Sequence, residues 1–384
     1  MPLTGPAFTA NPTNDDDAGD PEEGVGLCLS GGGYRAMLFH VGTLWRLYEV
    51  GKLKDISRIS SVSGGSITAG VLALAWPKLS FDPAAPTDFI DRVVDPVRRL
   101  AGHTIDVGAI VGGIALPGSI ADRVASAYRK HLFGEATLQD LPDTPRFVIN
   151  ATSVQTGALW RFSKPYMADY HIGLIENPTI DLAVAVAASS AFPPILSPMT
   201  ITLDPKSIKP DDKADLHDAP FTDRAVLCDG GVYDNLGLET VWKNFTTVLV
   251  SDAGAKIAPE GSPQGDWAHG AMRILDLIDN QVRALRKRQL IGSYYAAPES
   301  AEHRKGAYWS IRSNIAKFAA GSSLTCPITS TAALAVIPTR LEKLDASRQE
   351  KLINWGYAIC DAALRTHLDP NIPAATKFPY ALGV

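Results

Sequence analysis

Strand-length apolar runs alternate with helix-period stretches from residue 25 onward. Val25-Gly26-Leu27-Cys28-Leu29 leads into Ser30-Gly31-Gly32-Gly33, after which Met37, Leu38, Val41, Leu44, Trp45 and Tyr48 recur at three- and four-residue spacing. That period predicts a helix, which stops near Gly51. Ile56 to Val62 is a second strand pattern, Ser63-Gly64-Gly65 a tight turn, and Ile67, Val71 and Leu74 to Trp76 the apolar positions of a second helix. Strand, loop and helix in this repetition predict an α/β fold on a parallel sheet with right-handed crossovers.

Strand character returns at Phe147 to Ile149, Leu159 to Phe162, Ala225 to Cys228 and Thr247 to Val250. A small-residue helix is predicted over 182–189 and ends at Phe192-Pro193-Pro194. Segment 78–145 breaks the rhythm and reads as an insertion. Its glycine-rich apolar run over 107–118 is too short to span a bilayer and suits a buried connector or a lid. Residues 271–290 predict an amphipathic helix with Ile274, Ile278, Val282, Leu285 and Gln289 on one stripe.

Composition changes the picture at the N-terminus. Six acids crowd positions 15–23, and the Pro- and Asp-rich stretch 1–23 is expected to be a disordered leader. Without those six of the 41 acids, the body nearly balances its 36 bases, which argues against a nucleic-acid partner. No signal-peptide pattern is visible, so a cytoplasmic location is expected, although leaderless export leaves the same signature. Cys28, Cys228, Cys326 and Cys360 are scattered, with no C-x-x-C pair, so neither disulfides nor a metal site is expected.

Three short motifs carry candidate chemistry. Gly31-Gly32-Gly33-Tyr34-Arg35-Ala36 satisfies the dinucleotide fingerprint, but the second strand ends in Val62-Ser63-Gly64, where the ribose-binding carboxylate belongs. No G-K-[ST] follows, so a P-loop is excluded too. What remains is a run of N–H groups at a helix start, suited to an oxyanion. Ser61-Val62-Ser63-Gly64-Gly65 is a strand-to-helix elbow that would lift the Ser63 hydroxyl clear of the sheet. Ser61 stands where such elbows carry glycine, so Ser61 and Ser66 are rival nucleophiles and a helix-capping role competes. Position at the junction favours Ser63. His303 and His367 do not sit at strand ends, whereas Asp229 closes a strand and is followed by Gly230-Gly231. A carboxylate there can serve as base directly. Asp223 and Asp234 are expected to serve turns.

The three motifs, with a fourth block at Ala188-Ser189-Ser190-Ala191-Phe192-Pro193-Pro194, resemble the patatin-like phospholipase family in order and spacing over roughly residues 24–255. The resemblance implies a three-layer α/β/α fold with a mostly parallel central sheet and a Ser63–Asp229 dyad. It also implies an oxyanion hole built by Gly31, Gly32, Gly33 and Arg35, and no cofactor. Ser61 for glycine and Ala36 for the loop's last glycine depart from the pattern. The expected organisation is a leader (1–23), a catalytic domain (24–255) and a mainly helical C-terminal region (256–384) packed on it. The implied activity is cleavage of fatty-acyl esters of phospholipids or other lipids. The alternative is a ligand- or partner-activated membrane-degrading effector using the same dyad. Arg273, Arg283, Arg286, Lys287 and Arg288 suggest peripheral membrane contact for helix 273–288, but a core-packed helix with a solvated charged face is the favoured reading.

Overall fold

The computed structural model describes residues 20–105, 120–210, 213–321 and 324–384. Positions 1–19 of the expected leader and the run 107–118 lie outside the described residues. Eleven strands form one sheet: β1 (Glu22–Leu29), β2 (Arg58–Val62), β3 (Arg146–Ser153), β4 (Leu159–Phe162), β5 (Tyr166–Asp169), β6 (Gly173–Glu176), β7 (Met199–Thr202), β8 (Ile208–Lys209), β9 (Arg224–Asp229), β10 (Phe245–Asp252) and β11 (Lys305–Ser310). Their order is β11-β10-β1-β2-β3-β4-β5-β6-β8, with β9 pairing β3 and β7. The first five are mutually parallel, and β4, β5, β6 and β8 continue the sheet antiparallel.

The parallel half is buried on both faces. Leu27, Leu29 and Leu249 join the larger core, while Cys28, Val248 and Val250, one residue out of phase, join a second core with Leu236, Val241 and Leu290. This alternation on adjacent strands gives the predicted three layers. It also explains why both strands read as continuous apolar runs. The chain crosses from β1 to β2 through α1 (Gly33–Glu49), and α2 (Gly64–Ala75) leaves the end of β2. A third helix, α3 (Leu182–Ser189), has the small-residue run. The C-terminal region supplies two long helices, α4 (Trp267–Tyr295) and α5 (Ala346–His367), and also the edge strand β11, which its mainly helical reading lacked.

Two departures from the expected boundaries have local causes. Strand β1 begins at Glu22, inside the stretch assigned to the leader, because Glu22 pairs with Phe245. Strands β5 to β8 are two to four residues long, too short to show a period. All four cysteines are free thiols.

Helix α5 packs on α1 at backbone distance. A Cβ on Gly356 would lie 1.9 Å from the Phe39 carbonyl oxygen, and one on Gly42 equally close to that of Ile353. Beside this crossing, Arg46 of α1 makes a buried 2.6 Å ion pair with Asp361 of α5. Alanine ordinarily favours a helix over glycine by about 1 kcal/mol, so the sign of a substitution reports the contact. Gly356→Ala is expected to destabilise the protein by about 1–3 kcal/mol through overpacking. Gly292→Ala in α4, where a Cβ meets nothing within 4 Å, is expected to raise stability. Urea midpoints of the two variants check both signs.

Candidate active site

Strand β3 brings the two candidate residues together by register. Its Asn150 pairs with Val62, the last residue of β2, and its next residue, Ala151, pairs with Asp229, the last residue of antiparallel β9. Strands β2 and β9 therefore approach end to end along the same edge of β3. Ser63 follows Val62, so it stands at a strand end neighbouring that of Asp229, and its hydroxyl is one of the groups that pull the Asp229 pKa down.

Ser63 is held at φ 51° and ψ −118°, a left-handed conformation that an L-residue adopts only under constraint. The constraints are visible. Its N–H donates to Ser189 Oγ at 3.0 Å, and the turn has no room for side chains on either side. A Cβ on Gly65 would lie 2.3 Å from the Leu29 carbonyl, and one on Gly64 would lie 2.2 Å from that of Gly33. The elbow and the glycine loop are thus in backbone contact.

The rival serines are fully buried below the elbow. Ser66 Oγ lies 3.1 Å from Ser61 Oγ and 2.9 Å from Ser189 Oγ, and Ser61 also donates weakly to the Val148 carbonyl. Ser61 therefore replaces the pattern's glycine with a hydroxyl that links β2, β3 and α2. Ser189, at the end of α3, was not singled out as a site residue. Its signal was the small-residue block, which did not show which hydroxyl would turn inward.

Asp229 is 2 % exposed and accepts the Gly231 N–H at 2.7 Å. Gly230 lies against the Asn150 carbonyl, which keeps the turn tight. Among the described residues no ion pair is made by the carboxylate. Burial lifts its pKa to about 7 against the opposing pull of the Gly231 N–H and the Ser63 hydroxyl, and Asp279 of α4 adds a further push upward. Asp234 instead accepts the N–H groups of Leu236 and Glu239 and closes a turn, as expected for it.

The glycine loop divides its labour. Gly31 N–H donates to the Asn235 carbonyl at 3.1 Å, so it is not available to an oxyanion, contrary to expectation. Its missing side chain matters instead, since a Cβ there would approach the Ser63 Cβ to 3.2 Å and Asn235 Oδ1 to 2.3 Å. The N–H groups of Gly32 and Gly33 make no hydrogen bond among the described residues. Arg35 also departs from its expected place. Its Nε donates to the Ala253 carbonyl at 3.0 Å, and its terminal nitrogens donate to the Ile337 carbonyl and Thr339 Oγ1. Burial lowers its pKa to about 10, which leaves it charged at neutral pH.

No histidine hydrogen-bonds Ser63 or Asp229 among the described residues. His40 lies between β1 and β10, where Nε2–H donates to the Ser30 carbonyl and Nδ1 accepts from Ser251, each at 2.9 Å. Burial lowers its pKa to about 4, so it is neutral. Among the described residues no group of three or more His, Cys, Asp or Glu is placed to hold a metal ion, and no helix is long and apolar enough to cross a membrane.

The apolar stripe of α4 faces outward. Ile274 and Ile278 are each 55 % exposed and Leu285 58 %, so the favoured core-packed reading of this helix is corrected. The physical reason is that Arg286 and Lys287 reach toward the protein, whereas Arg288 is exposed. Arg286 pairs with Glu239 at 2.6 Å and lies over the Tyr233 ring, while Lys287 stacks on Tyr308. The helix thereby lies across the turn that follows Asp229. Val232 in that turn and Phe192 and Ile195 in the proline loop are also exposed.

A family model described as patatin-like phospholipase matches residues 27–242. Human GIVD cytosolic phospholipase A2 is similar in structure, with a TM-score of 0.52 and 13 % identity over 88 % of this chain. This chain covers 60 % of that protein's length. The same human enzyme in complex with methyl gamma-linolenyl fluorophosphonate and terbium chloride aligns with a TM-score of 0.51 and 15 % identity, over 88 % of this chain and 57 % of that one. No curated protein matches the chain.

Asp229 has one measurable consequence before any chemistry is considered. Its folded pKa of about 7 lies above the usual carboxylate value, so folding takes up a proton between about pH 4 and 7. Stability is lost as pH rises through that window. Asp229→Asn is expected to melt higher than the parent at pH 8 and to converge with it near pH 4. Melting curves across that range test the sign.

Proposed function

Because the chain belongs to the patatin-like phospholipase family, we propose that it is a lipid acyl hydrolase in which Ser63 is the nucleophile and Asp229 the base. The observation that carries this reading is the register that sets Ser63 beside a buried carboxylate with no ion pair among the described residues. A carboxylate at pKa about 7 is a far better proton acceptor than a solvated one and is still half ionised at neutral pH.

Asp229 takes the proton of Ser63 as Oγ attacks the ester carbonyl. The tetrahedral oxyanion is received by the free N–H groups of Gly32 and Gly33 at the start of α1, whose dipole adds to the field. Collapse releases the alcohol portion of the lipid, protonated by Asp229, and leaves an acyl ester on Ser63. Water, deprotonated by the same carboxylate, then attacks that ester, and the fatty acid departs as Ser63 regains its proton. Arg35 is assigned to bracing the loop. Removing one oxyanion donor costs about 3 kcal/mol in comparable sites, which is why the loop's placement matters.

Ser63→Ala and Asp229→Asn are each expected to lower turnover of an acyl ester by at least about 10⁴-fold while the fold persists. A fluorophosphonate probe is expected to label Ser63 and neither Ser61 nor Ser66. In the parent enzyme the rate is expected to rise with pH to a plateau above about 7, following ionisation of Asp229. Near-parental turnover by Asp229→Asn would remove the dyad.

The substrate class agrees with the outward stripe of α4. We assign that face to a lipid surface, because the helix packs on the turn that follows Asp229 and carries exposed Ile274, Ile278 and Leu285. Since Glu239, Tyr233 and Tyr308 engage Arg286 and Lys287, the contact assigned here is chiefly apolar. Ile274→Asp combined with Ile278→Asp is expected to weaken binding to phosphatidylcholine vesicles by at least about tenfold, each lost isoleucine being worth about 1.5–3 kcal/mol when fully buried. A change of oligomeric state in that variant, with vesicle binding intact, would assign the face to a second copy instead.

A further inference from the structure

Helix α4 turns one of its arginines toward the nucleophile. A Cβ on Gly254, two residues past β10, would lie 2.0 Å from Arg283 Nη1 and 3.0 Å from Asn235 Nδ2. At the other end of that amide, a Cβ on Gly31 would lie 2.3 Å from Asn235 Oδ1 and 3.2 Å from the Ser63 Cβ. The order outward from the nucleophile is therefore Ser63, Gly31, Asn235, Gly254 and Arg283. One amide side chain, with a glycine on either side, separates Ser63 from the guanidinium. Asp279, one turn earlier on the helix, is near enough to push up the pKa of Asp229. Arg283 lies beyond residues 27–242, so it is not among the positions that the family model matches.

Arg283 is half-buried and makes no hydrogen bond or ion pair among the described residues. Other cations of α4 are engaged or solvated: Arg273 donates to the Ala258 carbonyl, Arg286 pairs with Glu239, Lys287 stacks on Tyr308, and Arg288 is exposed. Two acids lie in the same neighbourhood. Asp279 acts on Arg283 from beyond ion-pair distance, and Asp252 accepts the Tyr308 hydroxyl at 2.6 Å and the Gly254 N–H at 2.8 Å. Arg35 is close enough to feel the charges of both Arg283 and Arg312. The side-chain amide of Asn235 also makes no hydrogen bond among the described residues. A guanidinium partly withdrawn from water, with its donors unengaged, is favourable only if an anion completes it.

We infer that Arg283 sets substrate specificity by receiving a phosphate carried on the alcohol portion of the ester that Ser63 attacks. This assignment rests on the hydrolase reading. A guanidinium presents paired N–H donors that match phosphate oxygens two at a time, and such bonds are about twice as strong as neutral ones. Partial exclusion of water strengthens them further. Arg35 does not take this role, because Ala253, Ile337 and Thr339 hold its nitrogens. In a glycerophospholipid the acyl ester and the phosphate belong to one glycerol unit, a few bonds apart. The single side chain between Ser63 and Arg283 is a matching separation, and its Nδ2 faces the same gap as Arg283 Nη1.

Dihexanoyl phosphatidic acid and dihexanoylglycerol, offered as monomers, differ only in the phosphate and keep the apolar face of α4 out of the comparison. The parent is expected to favour the phosphate-bearing ester in kcat/KM by at least about tenfold. Arg283→Gln is expected to lower that ratio by about tenfold or more, as the loss of a hydrogen bond to a charged group does. Because both esters are read on one preparation, any loss of folded protein cancels from the ratio. Arg283→Lys keeps the charge and loses the fork, and is expected to retain part of the preference. Arg288→Gln removes the same charge from an exposed position of the helix and is expected to leave the ratio in place. No preference in the parent overturns the assignment. So does a ratio that Arg283→Gln leaves unchanged, or one that Arg288→Gln lowers equally. Silence of the parent on both esters instead refutes the hydrolase reading on which the assignment rests.

Discussion

The site depends on a single register. On β3, Asn150 carries the end of β2 and Ala151 carries the end of β9, so two chain segments far apart in sequence terminate one residue apart in space. One residue of slip in the β3–β9 pairing would turn Asp229 to the opposite face of the sheet. The register is fixed from several directions: the Asn150 amide donates to Ser60 Oγ and the Ser61 carbonyl, and Thr152 Oγ1 donates to the Asp229 carbonyl. Those bonds come from β3 itself, which contributes none of the proposed reacting groups.

Much of this was legible in the sequence because it is carried by local patterns. Continuous apolar runs marked β1 and β10, since a parallel strand buried on both faces needs no polar alternation. The glycines of the loop and elbow marked places where backbones touch, and Asp229 stood out because it closed a strand with two glycines behind it. Other features depend on partners distant in sequence. Nothing near Gly31 announces that its N–H belongs to Asn235, nor that Arg35 reaches Ile337 and Thr339. The short strands β5 to β8 gain their identity only from pairing. Helix α4 was misread for a related reason: its amphipathic period was correct, but period alone does not say which face is inward. Glu239, Tyr233 and Tyr308 decide that, and they lie on other elements.

Charge in this molecule is placed by what surrounds it rather than by overall balance. Asp229 is buried without a cation, whereas Asp361 is buried with Arg46 against it. Burial raises the pKa of the first carboxylate, and the second clamps two helices through its ion pair. His40 shows the same logic in a base: burial keeps it neutral, and its two ring nitrogens are both used structurally. A histidine between two strands that flank the site is thus part of the scaffold.

The brace on the glycine loop has a consequence for the order of synthesis. Ser63 and Asp229 are both made once the ribosome passes β9, but Ile337, Thr339 and Arg340, which receive Arg35 and Tyr34, are made more than a hundred residues later. A nascent chain can hold the proposed nucleophile and base while Arg35 remains without two of its acceptors and Gly33 without the backbone it rests against. The last step of folding is then also the step that fixes the loop in place.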